Sequence, residues 1–295
     1  MNTGKSAVAL GLFDGVHLGH RAVLNLALEQ EKNGLIPYVF TFNPTMVLRK
    51  SKGEYGYIYN HLSKYNMLFN LGFGSHIRSV SFEEICRLSG EEFVKNILID
   101  KMNAGIVCCG NNFRFGNFAS CGVNELCELG KKYGFEVRIA DDVVYKGETV
   151  SSTVIRNLLL NGDTVRACQF LGEPYNINSE VVHGKALGRT IGFPTVNQIF
   201  EKGQLVPKFG VYASDTFING YRYRAMTNIG MKPTVNYDGV PLAETHIINF
   251  SGDLYGKNIR LNLLEFIRPE QKFSSLDELK RQIAEDMESI QHILI

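Results

Sequence analysis

Two histidines near the amino terminus, His17 and His20, are spaced so that both could act on one anion. They are separated by Leu18 and Gly19, and they follow an apolar run over residues 7–13. A strand–loop–helix junction presents free backbone N–H groups that bind phosphate, and residues three apart on a helical turn can point the same way. We expect either a phosphate site at which both imidazoles stabilise a transition state or ordinary surface or capping histidines. Gly19 would allow a phosphate to approach the backbone.

Two further segments of the first half could complete a nucleotide site. Asn112 lies in Gly110–Gly116, just after an apolar stretch at 105–109, and could bind a polar edge. Phe113 and Phe115 could stack on a ring or pack in the core.

The second of these segments combines hydroxyl groups with a cation. Ser151, Ser152 and Thr153 are followed by Arg156, a combination that suits a triphosphate. Simple N-capping would explain one serine but not the arginine.

A different set of residues stands out in the second half. Gly184, Gly188 and Gly192 precede Thr195 and Asn197, which suggests a loop over phosphates with oxygen ligands for a hard cation. From residue types alone this signal is weak, because glycine-rich turns are common in barrels.

Glu244 is a charge inside an otherwise strand-like run at 243–250. It is either a carboxylate that acts as a base or a solvent-facing strand residue.

The elements that must position these side chains change in character along the chain. In the first half, apolar strands alternate with helical patterns, which indicates βαβ units and an open, mostly parallel sheet. The predicted strands are 7–13, 36–42, 105–109 and 135–140, and the predicted helices include 123–133, 152–161 and 163–171.

After Leu171 the segments are short and β-rich. Residues 172–175 resemble a linker, and an antiparallel barrel or sandwich is predicted beyond it. A capping box at Ser275–Glu278 opens an amphipathic terminal helix. We therefore predict an α/β domain over residues 1–174 and a β domain over 175–295.

Composition limits the class of protein. A chain of 295 residues has room for two domains, and its net charge of +1 provides no overall electrostatic footprint for nucleic acid or an anionic membrane. The run at 7–13 is far shorter than the ~20 residues that span a bilayer. The six cysteines, with no C-x-x-C pair, indicate reduced thiols. We expect a cytoplasmic enzyme with small-molecule partners; its oligomeric state is not indicated.

In combination, these motifs resemble the prokaryotic bifunctional riboflavin kinase/FAD synthetase. The segments Gly11–His20, Gly110–Gly116 and Val150–Arg156 are similar to the signatures of its adenylyltransferase. Gly192–Asn197 and Arg268–Phe273 are similar to its kinase module. The resemblance implies a nucleotidyltransferase domain of the His-x-Gly-His type, followed by a six-stranded barrel that phosphorylates riboflavin.

The resemblance also implies roles for individual residues. The implied catalytic residues are His17, His20, Arg156 and Glu244. The implied nucleotide-binding residues are Phe13, Gly15, Gly19, Asn112, Ser151, Ser152, Thr153, Gly184 and Gly188. Arg268 and Phe273 are implied to bind flavin, and Thr195 and Asn197 to bind Mg²⁺ with ATP.

The two reactions need different catalysts, and the residues divide accordingly. Riboflavin offers a neutral alcohol whose proton must leave, so a carboxylate base is required. The phosphate of FMN is already anionic, because its second pKa is about 6, so its reaction needs no base. Two anions must approach each other in that reaction, and it therefore needs cationic and N–H donors.

Two segments depart from the family pattern. The family reads Phe-x-Pro-His-Pro where this chain has Thr45 and Met46 after Pro44, and Ala186 replaces a glycine of the kinase loop. Two alternatives therefore stay open: a nucleotidyltransferase with another acceptor, and a flavin-binding or regulatory homologue with activity lost.

Overall fold

The computed structural model describes residues 4–43, 56–184, 187–231 and 239–293. Thr45, Met46 and Ala186, where the sequence departs from the family pattern, lie outside the described residues. The backbone packs as two compact units. The first comprises Met1–Tyr57 with Lys64–Ser152, and the second comprises Ile58–Ser63 with Thr153–Ile295.

The first unit is built on a five-stranded, wholly parallel sheet with the strand order β3-β2-β1-β4-β5. All five residues of β1 are buried, as an apolar run covered on both faces should be. The open parallel sheet predicted from the alternating pattern is confirmed. Its strands are β1 (Ser6–Leu10), β2 (Ile36–Phe42), β3 (Ile77–Val80), β4 (Ala104–Gly110) and β5 (Glu136–Ala140).

The helices of this half begin and end close to where local signals place them. Gly34, with φ 78°, ends the helical stretch that begins at Leu18, and Ser89 makes a capping box with Glu92. Strand β1 ends at Leu10 and not at residue 13, because Phe13 has a φ of 48° and turns the chain. The helices are α1 (Leu18–Leu28), α2 (His61–Leu68), α3 (Gly90–Phe93, continued by a π-helical Val94–Ile99) and α4 (Val123–Tyr133). A two-stranded ribbon, β6 (Val144–Tyr145) and β7 (Glu148–Thr149), follows β5.

Two helices predicted for the first domain, α5 (Ser152–Asn161) and α6 (Thr164–Leu171), pack almost wholly within the second unit. The thiol of Cys168 donates to the Leu263 carbonyl at 3.7 Å, and the Lys208 amide donates to the Leu159 carbonyl at 3.0 Å. Packing therefore divides the chain at Ser152, upstream of the change in sequence texture. The cut between residues 174 and 175 stays a prediction about independent folding.

The second unit contains a closed six-stranded antiparallel barrel with the strand order β10-β11-β12-β9-β8-β13. The six-stranded barrel implied by the resemblance is thus confirmed. Its strands are β8 (Tyr175–Val182), β9 (Val196–Ile199), β10 (Gly210–Ile218), β11 (Tyr221–Met231), β12 (Pro241–Ile247) and β13 (Asn258–Arg268), with α7 (Leu187–Thr190) between β8 and β9.

The terminal helix α8 (Leu276–Gln291) packs on this barrel through Asp286, which pairs with Arg268, and through the Gln291 carbonyl, which accepts from Arg224. Its predicted capping box is half formed. Ser275 accepts from the Glu278 amide, but the Glu278 carboxylate accepts from Ser274 instead of Ser275.

All six cysteines are free thiols, and the two in β4 are fully buried. Burial raises the pKa of Cys108 and of Cys109 to about 12, so both act as small apolar core residues. In the described ranges, no helix combines the length and the apolar character needed to cross a bilayer.

Candidate active sites

The histidine pair lies at the topological switch point of the parallel sheet. Strands β1 and β4 are neighbours, and the strand order runs outward from them in opposite directions. Ligands of open α/β sheets bind outside the carboxyl ends of strands at such a point. The loops that follow these two strands carry Gly11–His20 and Gly110–Gly116, so both motifs leave the sheet at the edge where a nucleotide is expected.

His17 and His20 act as one structural unit at the start of α1. His17 is the N-cap residue, and its Nδ1 accepts from the His20 backbone N–H at 3.2 Å. The neutral His17 ring therefore carries its proton on Nε2. The two rings stack with centroids 3.6 Å apart and planes at 17°. The two imidazoles do face the same way, as their spacing predicts.

Small and strained residues shape the turn before this helix. Gly15 has a φ of 94°, and a Cβ at Gly19 would lie 3.2 Å from the His17 ring and 3.4 Å from the Val150 carbonyl. The absence of a side chain at Gly19 thus lets the His17 ring and the Val150 carbonyl pack closely against the backbone. This is a second reason for glycine here, besides the phosphate approach that the sequence suggested. Phe13 is 1% exposed, and its ring meets His20 edge-on at 5.5 Å.

The hydroxyl segment lies against the same turn. Ser152 Oγ donates to the Asp14 carbonyl at 2.8 Å, at the start of α5. The structure therefore brings Ser151 and Ser152 next to the turn that precedes His17. The Ser152 hydroxyl already donates its hydrogen bond to a backbone carbonyl in that turn. Thr153 is exposed, and Arg156 is a buried residue one turn further along α5.

The two aromatic residues in the loop after β4 differ in how deeply they are buried. Phe115 is 6% exposed and packs on Phe93, so it belongs to the core. Phe113 stacks on Phe115 and is partly buried against the same cluster. Asn112 is exposed at the carboxyl end of β4, which leaves its side chain available to a ligand.

A second group of polar residues lies on the barrel. Asn197 of β9 is the register partner of Glu244 of β12, which is in turn the partner of Asn228 of β11. Directly opposed residues share one face of a sheet, with Cβ atoms about 4.5–5.5 Å apart. The three side chains therefore form a row on one face, which we call the amide–carboxylate row. Sequence reasoning missed Asn228, because only strand pairing reveals it.

Two glycines lie close to the polar side chains at this row. A Cβ on Gly184 would lie 2.3 Å from Asn197 Nδ2, and a Cβ on Gly230 would lie 2.2 Å from Glu270 Oε1. Asn228 Nδ2 donates to the same Glu270 oxygen at 3.1 Å. The backbone at both glycines thus makes room for polar side chains at the row.

A cavity of about 200 Å³ is lined by Val196 and Thr245, the register pair next to Asn197 and Glu244. Its wall includes Arg189, Thr195, Thr245 and Asp253, whereas neither Asn197 nor Glu244 lines it. A Cβ on Gly188 would lie 2.2 Å from the Phe193 carbonyl, which explains the glycine next to Thr195.

Arg268 and Phe273, which the resemblance implies to bind flavin, are neighbours in the structure. The guanidinium carbon lies 5.8 Å from the centre of the Phe273 ring. Arg268 is also held by Asp286 of α8, which accepts from Nε and Nη2 at 2.7–3.1 Å. This fork fixes the plane of the guanidinium.

Comparisons with known proteins agree with both halves of this description. A family model described as FAD synthetase matches residues 1–154, and one described as Riboflavin kinase matches residues 171–294. The bifunctional riboflavin kinase/FMN adenylyltransferase of Bacillus subtilis (strain 168) is 35% identical over 289 residues, covering 96% of this chain and 90% of the relative. The protein of the same name from Escherichia coli (strain K12) is 35% identical and covers 95% and 90%.

A solved structure matches the whole chain. The crystal structure of a macrolide-efflux protein from Streptococcus pneumoniae aligns with a TM-score of 0.84 and 31% sequence identity, covering 100% of this chain and 96% of that chain. The efflux name is that protein's own.

Proposed function

The chain belongs to the bifunctional riboflavin kinase/FMN adenylyltransferase family, and we propose that it carries out its two reactions at the two sites described above. It phosphorylates riboflavin to FMN with ATP, and it transfers AMP from ATP to FMN to give FAD and pyrophosphate. The observation that carries the assignment is the tandem match of the two family models. An acceptor other than FMN would leave the barrel half unexplained.

In the kinase reaction, Glu244 is the proposed general base. The primary hydroxyl of riboflavin must lose its proton as the oxygen attacks the γ-phosphate of ATP. A half-buried carboxylate between Asn197 and Asn228 is supported on both sides by amide groups that can orient it and its substrate. Glu244 is proposed to accept the proton as the riboflavin oxygen bonds to the γ-phosphorus. The bond from that phosphorus to the β–γ bridging oxygen breaks, and ADP leaves.

In the adenylyl transfer, hydrogen-bond donors are needed and a base is not, because the FMN phosphate is already anionic. The FMN phosphate attacks the α-phosphate of ATP, and negative charge accumulates on the α-phosphate oxygens. His17 Nε2–H, His20, the N–H groups that begin α1, and Arg156 are the proposed donors that stabilise this charge. Asn112 and the Ser151–Thr153 hydroxyls are proposed to hold the nucleotide.

The barrel residues fit a magnesium ion. Asn197 Oδ1 is buried and has no hydrogen-bond partner among the described residues, while Thr195 lies on the cavity wall. Neutral oxygen donors of this kind suit a hard cation. We propose that Thr195 and Asn197 hold Mg²⁺ with ATP, where the ion would neutralise charge on the phosphates. Gly184 and Gly188 bring the backbone close to these side chains.

Flavin is proposed to bind near Arg268 and Phe273 in the kinase half. The Phe273 ring offers a stacking surface, and Arg268 is held in place by Asp286. A guanidinium that is already oriented loses little entropy when it contacts a ligand.

Each half is proposed to work without the other, and this can be tested with fragments. A fragment of residues 153–295 is expected to convert riboflavin to FMN and to stop there. A fragment of residues 175–295 should have the same activity but a free energy of unfolding lower by several kcal/mol. It lacks Phe170 and Leu171, which are at most 2% exposed, and burying each such side chain contributes about 1.5–3 kcal/mol.

Riboflavin phosphorylation and urea unfolding of both fragments provide the measurement. A complementary fragment of residues 1–174 should accept FMN and ignore riboflavin. Folded fragments that are inactive alone but active when mixed would contradict independent domains.

A further inference from the structure

Lys64 is a buried lysine that bridges two neighbouring strands of the first unit. It lies in α2, is 5% exposed, and donates from Nζ to the Leu12 carbonyl at 2.6 Å and the Phe42 carbonyl at 2.7 Å. Leu12 follows β1, and Phe42 is the last residue of β2. One ammonium group therefore joins the carboxyl ends of two strands at the ligand-binding edge of the sheet.

The turn that begins at Leu12 is strained. Phe13 and Val16 have φ values of 48° and 42°, and both are at most 1% exposed. A positive φ is a true outlier for a β-branched residue such as valine. Such a conformation persists only where the surroundings hold it in place. His17 is the next residue after this strained segment.

Several hydrogen bonds hold the turn. Those from Lys64 differ from the others because a single charged donor contacts two carbonyls. Thr41 Oγ1 donates to the Leu12 carbonyl at 3.0 Å, and Arg21 Nε donates to the Val16 carbonyl at 3.1 Å. Thr41 lies in β2, so its bond also ties Leu12 to the sheet, whereas Arg21 of α1 bonds to the end of the turn itself. Lys64 is charged and contacts both the Leu12 carbonyl and the carbonyl that ends β2, so it fixes the turn to the sheet from a third element, α2.

The charge of Lys64 is costly to bury, which argues against a role in stability alone. Burial lowers the pKa of Lys64 to about 7, and the nearby acidic group, Asp14 of the β1–α1 turn, only partly offsets this effect. An apolar side chain of similar length would avoid the desolvation of an ammonium. The position therefore carries a cost to folding that a positioning role would explain.

We propose that Lys64 is a positioning residue for adenylyl transfer, holding the strained turn so that His17 and His20 meet the α-phosphate of ATP. The inference rests on the proposed role of the two histidines. Lys64 itself contacts the backbone and acts through the turn. Small displacements of a catalytic group are sufficient to slow a reaction about 10²-fold.

Lys64→Met tests the proposal, with Lys131→Met as the matched control on the exposed surface of α4. Lys64→Met is expected to lower kcat for FAD formation from FMN by about 10²-fold, with little change in the KM for ATP. Riboflavin phosphorylation by the same preparation should stay unchanged. Lys131→Met should affect neither reaction.

The pH dependence provides a signature that a purely structural residue would not show. Because the pKa is about 7, the ammonium keeps its charge below pH 7 and loses it as the pH rises. The wild-type rate of FAD formation, divided by that of riboflavin phosphorylation, should fall between about pH 7 and 9. The FMN phosphate is already at least about nine-tenths dianionic in this range, since its second pKa is about 6. Lys64→Arg keeps its proton throughout this range and should not show the fall.

The pH dependence of stability provides a further check that the pKa of Lys64 is lowered in the folded protein. Between pH 7 and about 10.4 the unfolded lysine holds a proton that the folded one has lost, so the wild type gains stability as the pH rises. The unfolding midpoint of Lys64→Met, relative to the wild type, should be highest at low pH and decline toward pH 10.

The outcomes separate this inference from the proposed function. A folded Lys64→Met that makes FAD at the wild-type rate, or that loses both activities equally, overturns the inference. If Lys64→Met does not fold, the wild-type and Lys64→Arg pH profiles decide, and a flat wild-type ratio overturns it. If His20→Ala leaves FAD formation intact, the histidine site itself is wrongly assigned.

Discussion

Glu244→Gln is expected to lower riboflavin phosphorylation by about 10²–10⁴-fold, the range of general-base catalysis. The substitution keeps the size of the side chain and its place in the amide–carboxylate row, but it removes the carboxylate that is proposed to accept the hydroxyl proton. FMN that is supplied directly should still become FAD, because the phosphate of FMN needs no base. Rates of FMN and FAD formation in separate assays measure both effects.

Glu265→Gln provides the matched control, since Glu265 is an exposed glutamate on β13 of the same barrel. It should phosphorylate riboflavin at the wild-type rate. If Glu244→Gln does so as well, Glu244 is only a strand residue, and the base must be sought elsewhere, starting with Glu270, which accepts from Asn228 of the row.

His20→Ala is expected to lower FAD formation from FMN and ATP by about 10²–10³-fold, the usual loss for removing one transition-state donor. His20 is a better target than His17. His17 caps α1, so its removal would also cost stability, typically about 1 kcal/mol. Riboflavin phosphorylation should be unaffected, because the residues proposed for that reaction lie on the barrel.

The control for this variant is His76→Ala, at a partly buried histidine of the same unit whose ring contacts Tyr38 at 4.7 Å. It removes an aromatic contact of similar size and should leave FAD formation unchanged. Equal losses of both activities in His20→Ala would defeat the assignment, since they would indicate a general effect on folding.

Local signals in the sequence predicted most of the elements. Strand 36–42, helix 123–133 and helix 152–161 have the bounds expected from apolar periodicity and from glycine stops. The His17–His20 geometry follows from helical spacing, so it too was predictable. These features depend on neighbours within one turn or strand of the chain.

Features that depend on distant pairing could not be predicted. Lys64 lies in a short helix of mixed polar and apolar residues, where a lysine is expected to be exposed, and its partners are 52 and 22 residues away. Asn228 joins Glu244 only through strand register. The segment Ile58–Ser63 packs with the second unit because Asn60 donates to the Asn178 carbonyl, and Tyr59 stacks on Tyr175, contacts that span more than a hundred residues.

The central claim is that one chain holds two separate sites that act in sequence on the same flavin. Mixing Glu244→Gln with His20→Ala tests it most directly, with riboflavin, ATP and Mg²⁺ as substrates and chromatographic separation of the flavins as the readout. Glu244→Gln alone should leave riboflavin unchanged, and His20→Ala alone should accumulate FMN. The mixture should produce FAD, because FMN made by one variant is adenylylated by the other. A mixture that forms FMN but no FAD, while the wild type forms both, would contradict two independent sites.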